Sequence, residues 1–253
     1  MSIHPVYYFD SIDSTNRVAI ELAEKGAKHG TAVLAAMQTG GRGRLGKSWQ
    51  SIPGKGLYCS IIVRPDIEIG KYSQITLVTG VAVAKVVDKL TGSKSMLKWP
   101  NDIYLTGRKC GGILTESSPL VEDAKSRYAI IGIGLNINSM VEDFSGELRN
   151  TATSFSIESG EMYNIKEVFD RVRSQLLIEL DTFCSQGFDD ILNRWREKDY
   201  LFGRWMECVG YDGTVISGVA LGPDSDGRLF LRDKNGTQHA VLSGDVRLAK
   251  AGG

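Results

Sequence analysis

Gly40-Gly41-Arg42-Gly43-Arg44-Leu45-Gly46-Lys47-Ser48-Trp49 is the stretch on which the fold turns. By letter, Gly41 to Ser48 fits G-x-x-x-x-G-K-[ST], the phosphate-binding P-loop, and Gly41, Gly43 and Gly46 fit the dinucleotide fingerprint G-x-G-x-x-G. Both patterns need a strand before the loop and a helix after it, because amides at the helix N-terminus hold the phosphate. Thr31 to Gln38 supplies the strand. The following residues, Trp49-Gln50-Ser51-Ile52-Pro53-Gly54 and then Gly56, leave room for about one helical turn. A dinucleotide site also carries an acidic residue about 20 positions further on. Here the first acidic residue is Asp66, beyond the next strand. The letters therefore match without the flanking structure that gives them meaning.

A third reading fits better. Lys25 to Pro65 holds seven Lys or Arg and no Asp or Glu, in a chain whose 30 basic and 30 acidic residues balance. Arg42, Arg44 and Lys47 lie close together among glycines, beside Trp49. Arginine forks suit carboxylate and phosphate oxygens, and glycines let backbone approach a ligand. Gly40 to Gly56 is thus read as an anion-binding flexible loop; the plainer alternative is a solvated basic loop.

Working outward, Ser14 or Thr15 can cap a helix that runs to about Lys25 and stops at Gly26. Leu57 to Val63 reads as a strand, and Ser73 to Leu90 as a helix ended by Gly92. Met96 to Lys98, Ile103 to Leu105 and Lys109 to Glu116 are short strands with turns at Asn101–Asp102 and Gly107, and Tyr128 to Asn138 is the strongest strand. In this last segment Ala129, Ile131, Ile133, Leu135 and Ile137 form an apolar face, while Gly132, Gly134, Asn136 and Asn138 fall on the other. Glycines in a strand interior mark a close approach, either of a ligand or of a tightly packed helix. Gly111–Gly112 repeats the feature. Ile165 to Ser185, with an apolar stripe read as core, and Phe188 to Asp199 are helices, so residues 1–203 form a mixed-sheet α+β unit. From Gly203 the pattern alternates, with Asp226–Gly227 and Asn235–Gly236 as hairpin turns, so residues 204–253 read as a small all-β barrel or half-barrel.

Length and composition agree with a folded domain plus a small companion. Net charge is zero, which excludes global electrostatics as the route to nucleic acid or anionic lipid. The four cysteines, Cys59, Cys110, Cys184 and Cys208, contain no CxxC and read as mostly buried, reduced thiols of a cytoplasmic protein. Met1 to Asp10 lacks a basic n-region and an apolar core, so no signal peptide is expected, and the longest apolar run, Ile75 to Ala84, reads as a buried helix rather than a membrane span. His4, His29 and His239 read as surface residues.

Lys98-Trp99-Pro100-Asn101-Asp102 joins two of the short strands. Taken in order with Asp13-Ser14-Thr15-Asn16, Gln38, the Gly41 to Trp49 loop, Arg108-Lys109-Cys110-Gly111-Gly112-Ile113-Leu114 and Gly132-Ile133-Gly134-Leu135-Asn136, it resembles the biotin protein ligases. The resemblance runs from about Asp10 to the end of the chain. It implies a class II synthetase-like biotin/lipoate ligase catalytic domain followed by a small SH3-like β-barrel. It also implies the chemistry: ATP and Mg²⁺ convert biotin to biotinyl-5′-AMP, which then biotinylates a lysine of a biotin carboxyl carrier domain.

Carried onto this sequence, the resemblance makes Ser14, Thr15, Asn16, Gln38, Gly112 and Gly134 the biotin pocket, with Arg42, Gly43 and Arg44 folding over the ligand and Lys109 meeting its carboxylate or phosphate. Trp49, Lys47, Lys98, Asn101 and Asn136 would surround ATP, and Asp102 would hold magnesium. Arg42, Arg44, Asp102 and Lys109 are the expected catalytic residues. The position of Lys47 is more commonly arginine. The best-known members begin with a DNA-binding helix-turn-helix domain; Asp13 to Asn16 lies too near the N-terminus to leave room for one, so DNA is not an expected partner. An exposed edge strand could pair two copies, and homodimers occur in the family. The rivals are a lipoate or octanoate protein ligase, a P-loop NTPase, and a non-catalytic biotin- or DNA-binding regulator.

Overall fold

The computed structural model describes residues 4–118, 127–210, 213–242 and 244–248. Met1 to Ile3 and Ala249 to Gly253, the ends of the two expected units, lie outside the described residues.

The chain opens with strand β1 (Val6–Ile12), helix α1 (Thr15–Glu24), β2 (Ala32–Gln38) and β3 (Gly56–Val63). Helix α2 (Gln74–Thr91), β4 (Met96–Lys98), β5 (Asp102–Leu105), β6 (Arg108–Ser117) and β7 (Ala129–Asn136) follow. Two short helices, α3 (Leu148–Thr151) and α4 (Phe155–Ser159), lead to α5 (Ile165–Gln186) and α6 (Asp189–Arg196). Strands β8 (Trp205–Val209), β9 (Val215–Pro223), β10 (Leu229–Arg232), β11 (Gln238–Val241) and β12 (Asp245–Leu248) complete the chain.

Among the described residues, seven strands form one sheet in the order β1-β2-β3-β7-β6-β5-β4. Only β1 and β2, joined through α1, run parallel; the other pairs are antiparallel. This mixed sheet is the expected α+β arrangement. Helix α2 is apolar over most of its surface (Ile75, Leu77, Val78, Ala82, Val83 and Val87 are buried) because it is sandwiched between the sheet and α5. It ends where Gly92 turns left-handed at φ 68°, which needs no side chain.

β7 shows the alternation read from the sequence. Ala129, Ile131, Ile133, Leu135 and Ile137 join the core cluster under α2 and α5. The opposite face serves two purposes. Its first turnward residue, Ile130, packs with Ala19 and Ala23 of α1, and Gly132, Gly134 and Asn136 continue toward the site.

The second sheet has the order β11-β10-β9-β8-β12, all antiparallel, so β11 and β12 are its edges among the described residues. Gly227 and Gly236, at φ 81° and 85°, make the two expected hairpin turns. Met206, Ala220, Leu229 and Leu231 belong to the same core cluster as α2 and α6, so apolar packing runs unbroken past residue 203.

Three features differ from the sequence reading. β1 escapes notice because its side chains lie mostly exposed at the sheet edge and carry no buried alternation. Helices α3 and α4 are too short for a helical period to register. The three histidines are partly buried rather than surface residues; His29 Nδ1 accepts from Arg64 N at 3.0 Å, and burial holds its pKa below the ordinary value. Three cysteines are buried and Cys184 is exposed, all free.

Candidate active site

The site lies on the glycine face of β7 and β6. The loop after β2 crosses this face as a 3₁₀ turn over Arg44–Gly46, with Leu45 at φ 57°, and no helix follows it. The phosphate-loop and dinucleotide readings fail on this observation. A cavity of about 340 Å³ lies beneath the loop, and its lining gathers every site residue named from the sequence.

At one end, Gln38 at the end of β2 meets the start of α1. Its Oε1 accepts from Thr15 N at 2.8 Å and Thr15 Oγ1 at 3.0 Å. Its Nε2 and the Ser14 hydroxyl line the cavity without a hydrogen-bond partner among the described residues. Asn16 is buried and fully engaged: Nδ2 donates to Leu114 O at 3.2 Å and Glu116 Oε2 at 2.6 Å, and Oδ1 receives from Ser60 Oγ at 2.5 Å. Both amide hydrogens are thus used within the chain, while the side chain still lines the cavity wall. A side chain at Gly132 would collide with Asn16 Oδ1, which accounts for that glycine.

In the middle, the Trp49 indole lies on the floor made by Gly134 and Gly112. A Cβ at Gly134 would stand 2.7 Å from Trp49 Cε2. Trp49 Nε1 is buried with no acceptor among the described residues. Buried donors are nearly always satisfied, so this one points to a bound molecule. Lys109 on β6 sits beside it, 5.7 Å over the indole, with Nζ 2.5 Å from Asp102 Oδ1. Asp102 begins β5 opposite Gly112, where an added Cβ would press on Trp49 Cζ3 at 3.3 Å and only touch Lys109.

The Lys98 to Asp102 turn closes the far wall. Asn101 Nδ2 donates to Ile113 O at 2.7 Å, pinning the turn to β6. Trp99 is buried and its Nε1 donates to Gly227 O at 2.9 Å, pinning the turn to the C-terminal sheet. Burial depresses the Lys98 pKa, with nearby Asp102 opposing. Asn136 Nδ2 donates to Thr153 O at 3.0 Å and leaves its oxygen to the cavity.

Ion pairs hold both ends of the loop. Arg42 Nη2 lies 3.1 Å from Glu116 Oε2, and Lys47 Nζ lies 2.9 Å from Asp245 Oδ1 on β12. Burial raises the Asp245 pKa, but hydrogen bonds from Lys47 and Arg247 outweigh it and leave the carboxyl below its ordinary range. Arg44, between the pairs, lines the cavity and joins neither.

Sequence reasoning missed Tyr104, Phe144, Leu148 and Ala152, which give the cavity an apolar end, and Glu116 and Asp245. Glu116 carries one weak signal, an acidic side chain at the end of a strand that begins Lys109-Cys110-Gly111-Gly112. The others sit in segments without a motif and reach the site only by folding. Cys59 lines the cavity, and burial pushes its thiol up to about 12, so it brings no thiolate there.

This glycine-floored cavity, with basic groups at its mouth and an apolar end, accords with the family model for the biotin/lipoate A/B protein ligase family, which matches residues 8–136. The chain belongs to that family. Among individual proteins, it is 38% identical over 248 residues to the bifunctional ligase/repressor BirA of Bacillus spizizenii, covering 98% of this chain and 75% of that one. It is 31% identical to the biotin--[acetyl-CoA-carboxylase] ligase of Paracoccus denitrificans, covering 89% and 93% respectively. Among solved structures, the biotin protein ligase of Aquifex aeolicus in complex with biotin and ATP superposes with a TM-score of 0.83 at 29% identity, over 98% of this chain and all of that one.

Proposed function

We propose that the chain is an ATP-dependent biotin protein ligase that forms biotinyl-5′-AMP and passes the biotinyl group to a lysine of a biotin carboxyl carrier domain. The observation that carries this reading is Lys109. Its Nζ lies 2.5 Å from Asp102 Oδ1 and 5.7 Å from the Trp49 ring, in one cavity whose lining also includes Ser14 and Gln38 and the apolar Phe144 and Leu148. A cation in that cavity supports the reading that an acid and a nucleotide meet beside Lys109.

In the first step the biotin carboxylate attacks the α-phosphorus of ATP. An oxygen–phosphorus bond forms, the bond to the leaving pyrophosphate breaks, and pyrophosphate departs with that electron pair. Gln38 and Ser14 hold the ring end of biotin, and Lys109 neutralises the carboxylate and α-phosphate as they approach. The purine rests against Phe144 and Leu148, while Arg44, Lys47 and Lys98 face the outer phosphates. Positioning and charge neutralisation supply the rate, with no covalent enzyme intermediate.

Asp102 brings one carboxylate, already shared with Lys109, and no cluster of three His, Cys, Asp or Glu occurs among the described residues. That donor set fits a magnesium ion whose remaining ligands are phosphate oxygens and water. Magnesium held there by Asp102 would supply neutralisation of phosphate charge.

In the second step the carrier amine attacks the carbonyl carbon of the mixed anhydride. A carbon–nitrogen bond forms, the carbon–oxygen bond to AMP breaks, and the nitrogen loses a proton. Asp102 orients the amine or accepts that proton. The basic loop orders over the adenylate, excludes water and retains it until the carrier arrives.

ATP–pyrophosphate exchange with biotin, lipoate, octanoate or no acid tests this reading. Exchange with biotin alone supports it, and biotinylation of a carrier domain completes it. Exchange with lipoate or octanoate instead moves the substrate within the same family. No exchange with any acid refutes an adenylating ligase.

A further inference from the structure

We infer that Glu116 is a positioning residue that links the loop to the biotin end of the cavity; this rests on the ligase reading above. Glu116 does not line the ligand cavity. It lines a second cavity of about 490 Å³ that the same loop borders. Its side chain is 29% exposed, and its two oxygens join two segments far apart in sequence. From the loop, Arg42 Nη2 lies 3.3 Å from Oε1 and 3.1 Å from Oε2. From α1, Asn16 Nδ2 donates to Oε2 at 2.6 Å.

The link does not stop at Asn16. Ser60 Oγ lies 2.5 Å from Asn16 Oδ1 and 2.7 Å from Thr15 Oγ1, and Thr15 Oγ1 donates to Gln38 Oε1. Ser60 and Thr15 each have one hydroxyl proton; given to Asn16 Oδ1 and Gln38 Oε1, they leave the Ser60–Thr15 contact without a hydrogen. The hydrogen-bonded link therefore runs from Arg42 through Glu116 and Asn16 to Ser60 and meets Thr15 there by packing. Gln38 Nε2 is the free donor at the cavity's end, and Gly41 of the loop packs against it. The two acceptors on Asn16 Nδ2 fix which way its amide faces, so Glu116 helps set the amide that lines the cavity beside Thr15 and Gln38. Glu116 thus serves two ends: its charge holds Arg42 of the loop, and an oxygen that Gln would also supply holds the Asn16 amide at the biotin end.

Glu116→Gln keeps an oxygen for Asn16 and removes only the charge that holds Arg42; Glu116→Ala removes both. The full chain is charged with biotin, ATP and magnesium, and release of biotinyl-adenylate is timed at low and at high salt. In parallel, hydrogen exchange of residues 41–48 and of the start of α1 is measured without ligand. E116Q should release adenylate about fivefold faster at low salt, the size of a partly exposed ion pair. It should lose the salt dependence that the wild type shows, while its KM for biotin stays within about twofold. E116A should also raise that KM. Because Glu116 acts through Arg42, E116Q should add nothing to release on an Arg42→Gln background.

Wild-type release and salt dependence in E116Q overturn the inference, as does loop exchange unchanged by the substitution. A lower melting temperature with unchanged release and exchange would show a merely structural carboxylate, and overturns it too. If the wild type forms no adenylate, the ligase reading fails by itself, and the exchange arm still decides whether Glu116 couples loop to α1.

Discussion

The two faces of β7 are made by different physics. Toward α2 and α5, Ile131, Ile133 and Leu135 are sealed in an apolar cluster, where each buried side chain contributes in proportion to area removed from water. Toward the loop, Gly132 and Gly134 contribute no side chain, and the surface is built by partners: Asn16 over one glycine, Trp49 over the other. The first face resists loss of volume and the second resists gain. A core substitution should therefore cost stability, and a site substitution should cost chemistry.

The largest effect expected is on the site face. Asp102→Ala should lower pyrophosphate exchange by about 10²-fold or more, and should impair transfer from preformed biotinyl-adenylate equally. Normal transfer by this variant would remove Asp102 from the second step. Next, Ile131→Ala should cost about 2–5 kcal/mol in denaturant unfolding while the protein that remains folded exchanges normally. Gly134→Ala should do the reverse: an added Cβ 2.7 Å from Trp49 displaces the indole, so exchange falls with little change in unfolding midpoint. If both variants lose stability and activity together, the division between the faces is wrong.

A smaller effect concerns retention. Arg44→Ala should let biotinyl-adenylate escape and label lysines without selection, read as biotin on bystander proteins. Labelling confined to the carrier domain would show that Arg44 holds nothing.

The smallest effect tests the junction between the sheets. Burial raises the Asp199 pKa from its ordinary 3.8 to about 6, and Oδ2 has no partner among the described residues. The folded chain binds this proton more tightly than the unfolded chain. Its contribution to stability is therefore fully present below about pH 4 and is lost as pH rises through about 6. Asp199→Asn keeps an oxygen for Leu201 N, so it should gain about 1–2 kcal/mol at pH 7 and nothing at pH 4. An equal gain at both pH values would show that the carboxylate's charge is not the cause.

The legible parts of this molecule are local. Gly92, Asp226–Gly227 and Asn235–Gly236 mark where elements stop or turn because backbone conformation is set within a few residues. The alternation along β7 is visible for the same reason. The loop was legible by exclusion, since Pro53–Gly54 leaves no helix for a phosphate. β1 was not legible, because an edge strand with exposed side chains needs no pattern; nor were α3 and α4, which are each about one turn.

Sequence alone pointed to a basic, glycine-spaced loop and to a glycine-faced strand, because residue type and spacing set charge, reach and clearance, and the resemblance to the biotin protein ligases joined the two in one expected site. It did not reveal which donors a ligand can use. Only the tertiary structure decided that Asn16 is occupied by Leu114, Glu116 and Ser60, that Trp49 Nε1 is unpaired among the described residues, and that Lys47 is tied to Asp245. Those contacts join positions up to 198 residues apart. A hydrogen bond depends on a few tenths of an ångström between such partners, and that distance is set by how the whole core packs rather than by any motif.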